Sequence, residues 1–379
     1  MSLLTDVFNR LNKEYGEQIC SVGGNFIDSS NKLLPFSSPR ANYMTYGGLP
    51  RGRIIEFAGA EGSGKTSSSI DIAANAQEIF QKEYDEEMES LISQKSLNKT
   101  QQARLDYLQE NGPKQVLFID AENTFDDEWA MKLGLQVDKV AFYKPQQQCA
   151  EEIFEDAINI IDTGMIGLAI LDSIGSLVSQ LAYSKSIEER TYGGIAMALT
   201  LFSKKLAPLC KKTGCTFIGI NQVRDNLSGY GGGLTTTGGN AWKHNCSVRI
   251  MFQKGRFVDE KGEEKKNSEE SPAGNKVMMN IVKTKCFKPD RRSGYYTLSY
   301  TDGIQVVYDL FEIALKEGMI LKSGAWYNLA NPETGELICN KDTNEPIKLQ
   351  GKTSVIELLD EDIEIRSMID DYVDKMIRE

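Results

Sequence analysis

The sequence has one histidine, His244, in 379 residues. A single imidazole nearly excludes a histidine-built zinc site and a Ser-His-Asp triad. Cysteine is sparse as well: seven residues with no CxxC pair read as reduced cytosolic thiols and not as a disulfide framework. Long apolar runs are missing. The longest, Met165 to Val178, is interrupted by Asp172 and is too short to span a bilayer. The N-terminal MSLLTDVFNRLNKEYG spreads charges through an amphipathic pattern and has no secretory h-region, so a cytoplasmic protein without a membrane partner is expected. Basic charge is in deficit, 43 Lys+Arg against 54 Asp+Glu for a net charge of −11, which argues against a general nucleic-acid-binding coat but leaves room for a locally basic groove. What remains, 26% charged and 40% hydrophobic residues, is ordinary for a soluble globular chain of one large or two modest domains.

Leu4, Val7, Phe8 and Leu11 fall on one face of a short N-terminal helix, and the Ser-, Gly-, Pro- and Asn-rich residues 21–50 read as a connector or arm. From Arg53 onward, short apolar runs alternate with helical stretches: RIIEFAG (53–59), VLFID (116–120), KVAFY (139–143), GLAILD (167–172) and CTFIGIN (215–221). None alternates cleanly, as expected of parallel strands covered on both faces, and Glu151–Ile161 and Ala196–Lys212 are long enough to be crossover helices. The fold class expected is therefore α/β, a mainly parallel twisted sheet flanked by helices. Residues 78–110, with eight acidic and four basic side chains, predict a solvated helical hairpin, and 259–275 predict an exposed loop. Strands are expected again at 277–285 and 295–300, then a helix over 305–318. The last stretch, 357–379, with nine acids and three bases, reads as an acidic tail that would compete with DNA for a basic groove. The domains expected are 1–44, a helix and arm; 45–310, the core carrying the hairpin; and 311–379, a small α+β region ending in the tail.

Gly59-Ala60-Glu61-Gly62-Ser63-Gly64-Lys65-Thr66 matches GxxxxGK[ST], with a strand before it and an Ala/Ile-rich helical stretch after it. Glycines let the loop turn its amides onto phosphates, while Lys65 would neutralise the β/γ oxygens and Thr66 hold Mg²⁺. Asp172 closes GLAILD at the carboxyl edge of the sheet, where it could bind the water shell of Mg²⁺ or cap the next helix. Glu122, just past VLFID, could polarise an attacking water or simply be a surface or capping residue near Thr124, and the pattern leaves both open. At the end of CTFIGIN come Asn221 and Gln222, followed by VRDNLSGYGGGLTTTGGNAWK (223–243), too glycine-rich to pack. A nucleic-acid backbone could order that segment, with Tyr230 as a stacking face, or it could be a surface lid.

Taken together, residues 45–330 resemble the RecA recombinase family: Tyr46-GGLPRGRIIEFAG, the phosphate loop, FIDAENTFDDEWAMKLG, the Asp172-Ser173 strand, GINQVR, TTTGGNAWK, IVKTK and GAWY (324–327) follow in order. The resemblance implies a DNA-dependent ATPase using ATP and Mg²⁺, forming a homo-oligomeric filament on single-stranded DNA, and pairing it with a homologous duplex. It implies that Glu122 is the catalytic base, that Asp126, Trp129 and Tyr300 meet adenine, and that Gln222 senses the γ-phosphate. Lys283 and Lys285 match a pair that reaches ATP across the subunit interface. The DNA contacts implied are Arg190, Gly193, Gly194, Lys204, Arg224, Tyr230, Gly238, Gly239 and Asn240, with Lys243 nearby; residues 1–44 would make filament contacts, and a single-strand-binding protein and a loader are further partners.

Several positions depart from the family pattern. Met197 stands where a DNA-contacting arginine is usual, His244 stands where an aromatic interface residue is usual, and the 78–110 insertion is extra. Such departures suggest a divergent, phage-encoded member acting in an infected bacterial cell. The competing readings are a single-strand annealing mediator using ATP as an assembly switch, a helicase of the same fold and, more remotely, a small-molecule kinase.

Overall fold

The computed structural model describes residues 3–15, 32–184, 194–225, 234–260, 262–265, 271–340 and 343–378. The chain divides into two units, Met1–Leu33 and Leu34–Glu379. The first contains helix α1 (Leu3–Tyr15), which carries the amphipathic pattern read from the sequence.

In the second unit the elements follow in the order α2 (Pro39–Met44), β1 (Ile54–Gly59), α3 (Lys65–Ile92), α4 (Lys99–Asn111), β2 (Gln115–Asp120), α5 (Asp127–Lys132), β3 (Val140–Tyr143), α6 (Ala150–Asp162) and β4 (Ile166–Asp172). Then come α7 (Gly194–Thr213), β5 (Thr216–Asp225), β6 (Leu234–Thr236), α8 (Gly239–Asn245), β7 (Val248–Val258), β8 (Gly274–Thr284), β9 (Ser293–Ser299), β10 (Gly303–Ile304) and α9 (Val306–Lys316). The main sheet runs β10-β9-β8-β7-β1-β5-β4-β2-β3, with β6 paired to β5. Strands β3, β2, β4, β5, β1 and β7 are mutually parallel, and the β7-β8-β9-β10 side is antiparallel. Successive residues of β2 face opposite ways: Val116 and Phe118 join the core on one side, Leu117 and Ile119 the core on the other. This two-sided burial is why the strand sequences showed no alternation.

The insertion is a helical hairpin as expected, but its first helix is not separate. Helix α3 leaves the phosphate loop and runs unbroken for 28 residues. Asn98 and Gln101 form a reciprocal capping box that starts α4, and Arg104 grips Glu87 with two 2.8 Å hydrogen bonds. Leu91, Leu105 and Leu108 give the hairpin a small core of its own, with Tyr84, Met88 and Leu97 packed on it.

Two expectations need correcting. The acidic stretch is not a free tail: residues 357–361 close α10 (Lys352–Glu361) and residues 363–378 form α11 (Ile363–Arg378). Val355, Leu359, Ile369, Val373 and Ile377 are buried against α9, β11 (Ile320–Ser323) and β12 (Trp326–Leu329), which is paired to β13 (Lys348–Gln350). The apolar positions recur at helical spacing beneath a charge surplus that conceals them. The connector also ends earlier than read, because Leu34, Phe36, Ala41, Met44 and Leu49 belong to the main core.

Two buried carboxylates fasten that segment. Asp71 of α3 accepts from the Ser37 amide at 3.0 Å, and Asp309 of α9 accepts from Ser38 Oγ at 2.6 Å and the Thr297 amide at 3.1 Å. Burial pushes both pKa values up to about 7. In the unfolded chain such groups ionise near ~4, so between roughly pH 4 and 7 the folded state keeps protons that the unfolded state has released. Stability is therefore expected to fall as pH rises through that window and to level off above it. In Asp309→Asn, neutral at every pH, the loss of Tm between about pH 5 and 8 should be smaller than in wild type. An equal loss in thermal melts would show that Asp309 ionises normally in the fold.

Candidate active site

Strand β1 ends at Gly59, and after five intervening residues α3 begins at Lys65. The turn between them admits no side chain at its tightest points. A Cβ on Gly59 would sit 2.4 Å from the Phe252 carbonyl oxygen, and one on Gly64, at φ +93°, 2.9 Å from Val277. Gly64 occupies the helix N-cap with no side-chain cap, so the first amides of a long helix point free at the loop. This is an anion cradle by geometry and by the helix dipole. Lys65 Nζ is folded back onto the Ala60 carbonyl at 2.6 Å. Burial lowers its pKa, while Asp172, Glu122 and Glu61 pull in the other direction.

The parallel strands bring the acids to this edge. Thr66 Oγ1 donates to Asp172 Oδ2 at 2.6 Å, so the two hard oxygen ligands proposed for Mg²⁺ already meet, and the Asp172–Ser173 peptide is cis. Asp172 is 5% exposed, and burial, with Glu122 as a further contributor, raises its pKa to about 6. Glu122 Oε1 accepts from Ser173 Oγ and from Gln222 Nε2, the latter at 3.1 Å. The acid and the amide proposed as base and sensor are thus in direct contact. Both oxygens of Asp120 face the amides of Thr124 and Phe125, which shapes the turn carrying Glu122.

A cavity of about 320 Å³ opens beside the loop, lined by Gly62, Ser63, Gly64, Lys65, Thr66 and Ser67 on one side and by Trp129, Lys254, Asn275, Leu298 and Tyr300 on the other. Trp129 Nε1 donates to Ser67 Oγ at 3.0 Å, and Tyr300 Oη donates to Asn275 Oδ1 at 2.9 Å, fixing two aromatic rings at one pocket. A phosphate cradle, a pair of hard-oxygen ligands and two aromatic faces fit a magnesium–nucleotide complex. Asp126 serves as the N-cap of α5, accepting from the Trp129 amide at 3.0 Å, and so orients the helix that carries the indole.

The other predicted residues lie elsewhere. Lys283 and Lys285 of β8 direct their ammonium groups at the C-terminal carbonyls of α8: Lys283 reaches Lys243 O at 2.6 Å and His244 O at 2.8 Å, and Lys285 reaches His244 O at 2.8 Å. Burial, then the neighbouring Lys285, lowers the Lys283 pKa. Gly194 opens α7, along which Lys204 is exposed; Arg224 is exposed near the end of β5, opposite Thr235 of β6. Gly238 caps α8, and Gly239 and Asn240 begin it. Arg190, Gly193 and Tyr230 lie outside the described residues. Sequence reasoning missed Ser173, Ser67, Lys254 and Asn275. Only Ser173 had a local cue, its place directly after the strand-terminal acid.

The family model of the RecA N-terminal domain matches residues 95–305. The chain is similar to Protein RecA of Oleidesulfovibrio alaskensis, 28% identical over 326 residues covering 86% of this chain and 76% of that protein. It is also similar to Protein RecA of Petrotoga mobilis, 28% identical over 380 residues covering 99% and 88%, an alignment long enough to include the phosphate loop. Protein RecA of Acidothermus cellulolyticus is 30% identical over 291 residues, covering 76% and 72%. Among the described residues, no helix is long and apolar enough to cross a membrane.

If Trp129 stacks on a base, its emission will change when an adenine nucleotide is added, and Trp129→Ala will weaken binding about tenfold, the order of one base–aromatic stack. Fluorescence and calorimetric titrations check both. Unchanged affinity in the alanine variant would remove Trp129 from the site.

Proposed function

The chain belongs to the RecA family, and we propose that it is an ATP-dependent DNA recombinase that assembles on single-stranded DNA and pairs it with a homologous duplex. The observation that carries this reading is the contact of Glu122, two residues past the end of β2, with Gln222 of β5, the strand that pairs with β1 beside the phosphate loop and leads into the glycine-rich segment. One side chain can therefore respond to both nucleotide and DNA.

The chemistry follows from this chain's own groups. The amides at the start of α3 and Lys65 would bind the β- and γ-phosphates, with Lys65 giving up the Ala60 carbonyl it now holds. Thr66 and Asp172 would hold Mg²⁺, which when bound offsets charge on the phosphate oxygens. Glu122 would orient the attacking water and accept its proton. In the present arrangement the Gln222 amide and the Ser173 hydroxyl both occupy Glu122 Oε1. A Gln222 amide that turns to a γ-phosphate vacates that oxygen for water and carries the strand leading to the glycine-rich segment with it. Trp129 and Tyr300 would hold the base.

Lys283 and Lys285 are proposed to act on the nucleotide of an adjacent subunit, leaving the α8 carbonyls on assembly. The same reading assigns DNA contacts to Lys204, Arg224, Lys243, Gly194, Gly238, Gly239 and Asn240, and to Arg190, Gly193 and Tyr230. The negative total charge is no obstacle, because binding to the DNA backbone depends on the local charge along its path and not on the total. A single-strand-binding protein and a loader would be the accessory partners.

The test is steady-state ATP hydrolysis with and without single-stranded DNA. Wild type is expected to be stimulated strongly. Lys65→Ala should lose hydrolysis in both conditions, and Glu122→Gln should lose at least about a hundredfold while still binding nucleotide, the usual contribution of a general base. Hydrolysis indifferent to DNA would shift the reading to an annealing mediator using ATP as a switch. Turnover retained in Lys65→Ala would sink the site itself.

A further inference from the structure

Three residues before the phosphate loop, β1 carries Glu56, a carboxylate with no solvent exposure on the face that otherwise packs Ile54, Phe217 and Trp242. An anion in such a place is tolerated only when its oxygens are filled with donors. Here they are. Asn221 Nδ2 and Trp242 Nε1 each donate to Oε1 at 2.9 Å, and Arg249 Nε donates to Oε2. The register explains the meeting. Arg249 lies directly across from Glu56 on β7, Asn221 lies two residues beyond its partner Gly219 on β5, and a side chain at Gly219 would collide with the Trp242 indole.

The partners of Glu56 are also the fastenings of the glycine-rich segment. Asn221 precedes Gln222, where the segment departs. Asn221 Nδ2 also donates to the Thr237 carbonyl at 2.8 Å, and Arg249 Nη2 to Thr236 Oγ1 at 3.3 Å, where the segment returns. Trp242 belongs to the helix that follows. The amide orientation of Asn221 is dictated by chemistry, since both its Nδ2 partners are acceptors only. Its Oδ1 is left buried with no donor among the described residues.

We infer that Glu56 and Trp242 are positioning residues that couple the phosphate loop to the glycine-rich segment, holding both of its ends on the strand that delivers the nucleotide cradle. The inference rests on the coupled-ATPase reading above and adds the mechanical connection. Strand β1 ends in the cradle. A shift there on nucleotide binding moves Glu56, and Glu56 moves Asn221 beside the sensor and Arg249 and Trp242 beside the returning chain. Truncating a donor or neutralising the acceptor loosens the ends of the segment while leaving the cradle intact.

The experiment uses the full chain as wild type, Trp242→Phe and Glu56→Gln. The first variant keeps an aromatic ring and loses the donor; the second keeps the shape and loses the charge. Hydrogen–deuterium exchange of residues 234–243 is followed before and after saturation with a non-hydrolysable ATP analogue. Wild type should gain protection there; both variants should not, although they bind the analogue within about twofold of wild type. In hydrolysis assays their stimulation by single-stranded DNA should fall at least about fivefold, the low end of ordinary site-to-site coupling, with the DNA-free KM unchanged. Equal protection gains in all three proteins, no gain in wild type, or a parallel fall of DNA-free and DNA-stimulated rates would each overturn the inference. If one variant does not fold, the other decides. A wild type that shows the nucleotide-dependent protection but no DNA stimulation would overturn the recombinase reading and leave the Glu56 coupling standing.

Discussion

The parallel register of β1, β5, β4 and β2 is the constraint on which the site depends. Gly59 is paired with Gln222, and Asp120 with Asp172, so the start of the phosphate loop, the Gln222 amide and the Asp172 carboxylate come level at one edge. In a strand the side chains reverse at every residue, so a slip of one position in any pair would turn Asp172 or Gln222 into the opposite core. The apolar runs beneath the site serve the chemistry by making such a slip expensive. Val116 to Ile119, Leu168 to Leu171 and Phe217 to Ile220 are packed on both faces and have no alternative register that keeps them dry.

The site was legible in the sequence where the chemistry is local. The glycine spacing of residues 59–66 and the acid closing an apolar run at Asp172 each need only neighbouring letters to be recognised, and the Thr66–Asp172 contact follows once those strands lie near one another. Glu122 was ambiguous because its partners, Ser173 and Gln222, are 51 and 100 residues away, and no local pattern records a contact of that range. Glu56 passed as a polar letter within RIIEFAG for the same reason. Its meaning resides in Asn221, Trp242 and Arg249, all more than 160 residues downstream.

The fold was misjudged where composition obscured periodicity. The acids of 357–379 suggested a solvated tail, yet Leu359, Ile369, Val373 and Ile377 line one side of consecutive helices and close the small C-terminal core. The polar composition of residues 21–50 suggested an arm throughout, yet Ser37 and Ser38 are polar because they answer the buried Asp71 and Asp309. In both places hydrophilic residues were taken to mean solvent. In one they coat the outside of a packed helix, and in the other they satisfy carboxylates that burial would otherwise leave unpaired.

The unbroken run of α3 gives the molecule a lever arm. At 1.5 Å per residue its 28 residues extend about 42 Å from the phosphate loop to the hairpin tip. A rigid rotation of about 5° where the helix leaves the cradle would carry Ile92 through about 4 Å over that length. The bidentate Arg104–Glu87 pair and the hairpin's own apolar core brace the outer half against bending, so a small rotation at the start of the helix is magnified at the far end instead of being absorbed along the way.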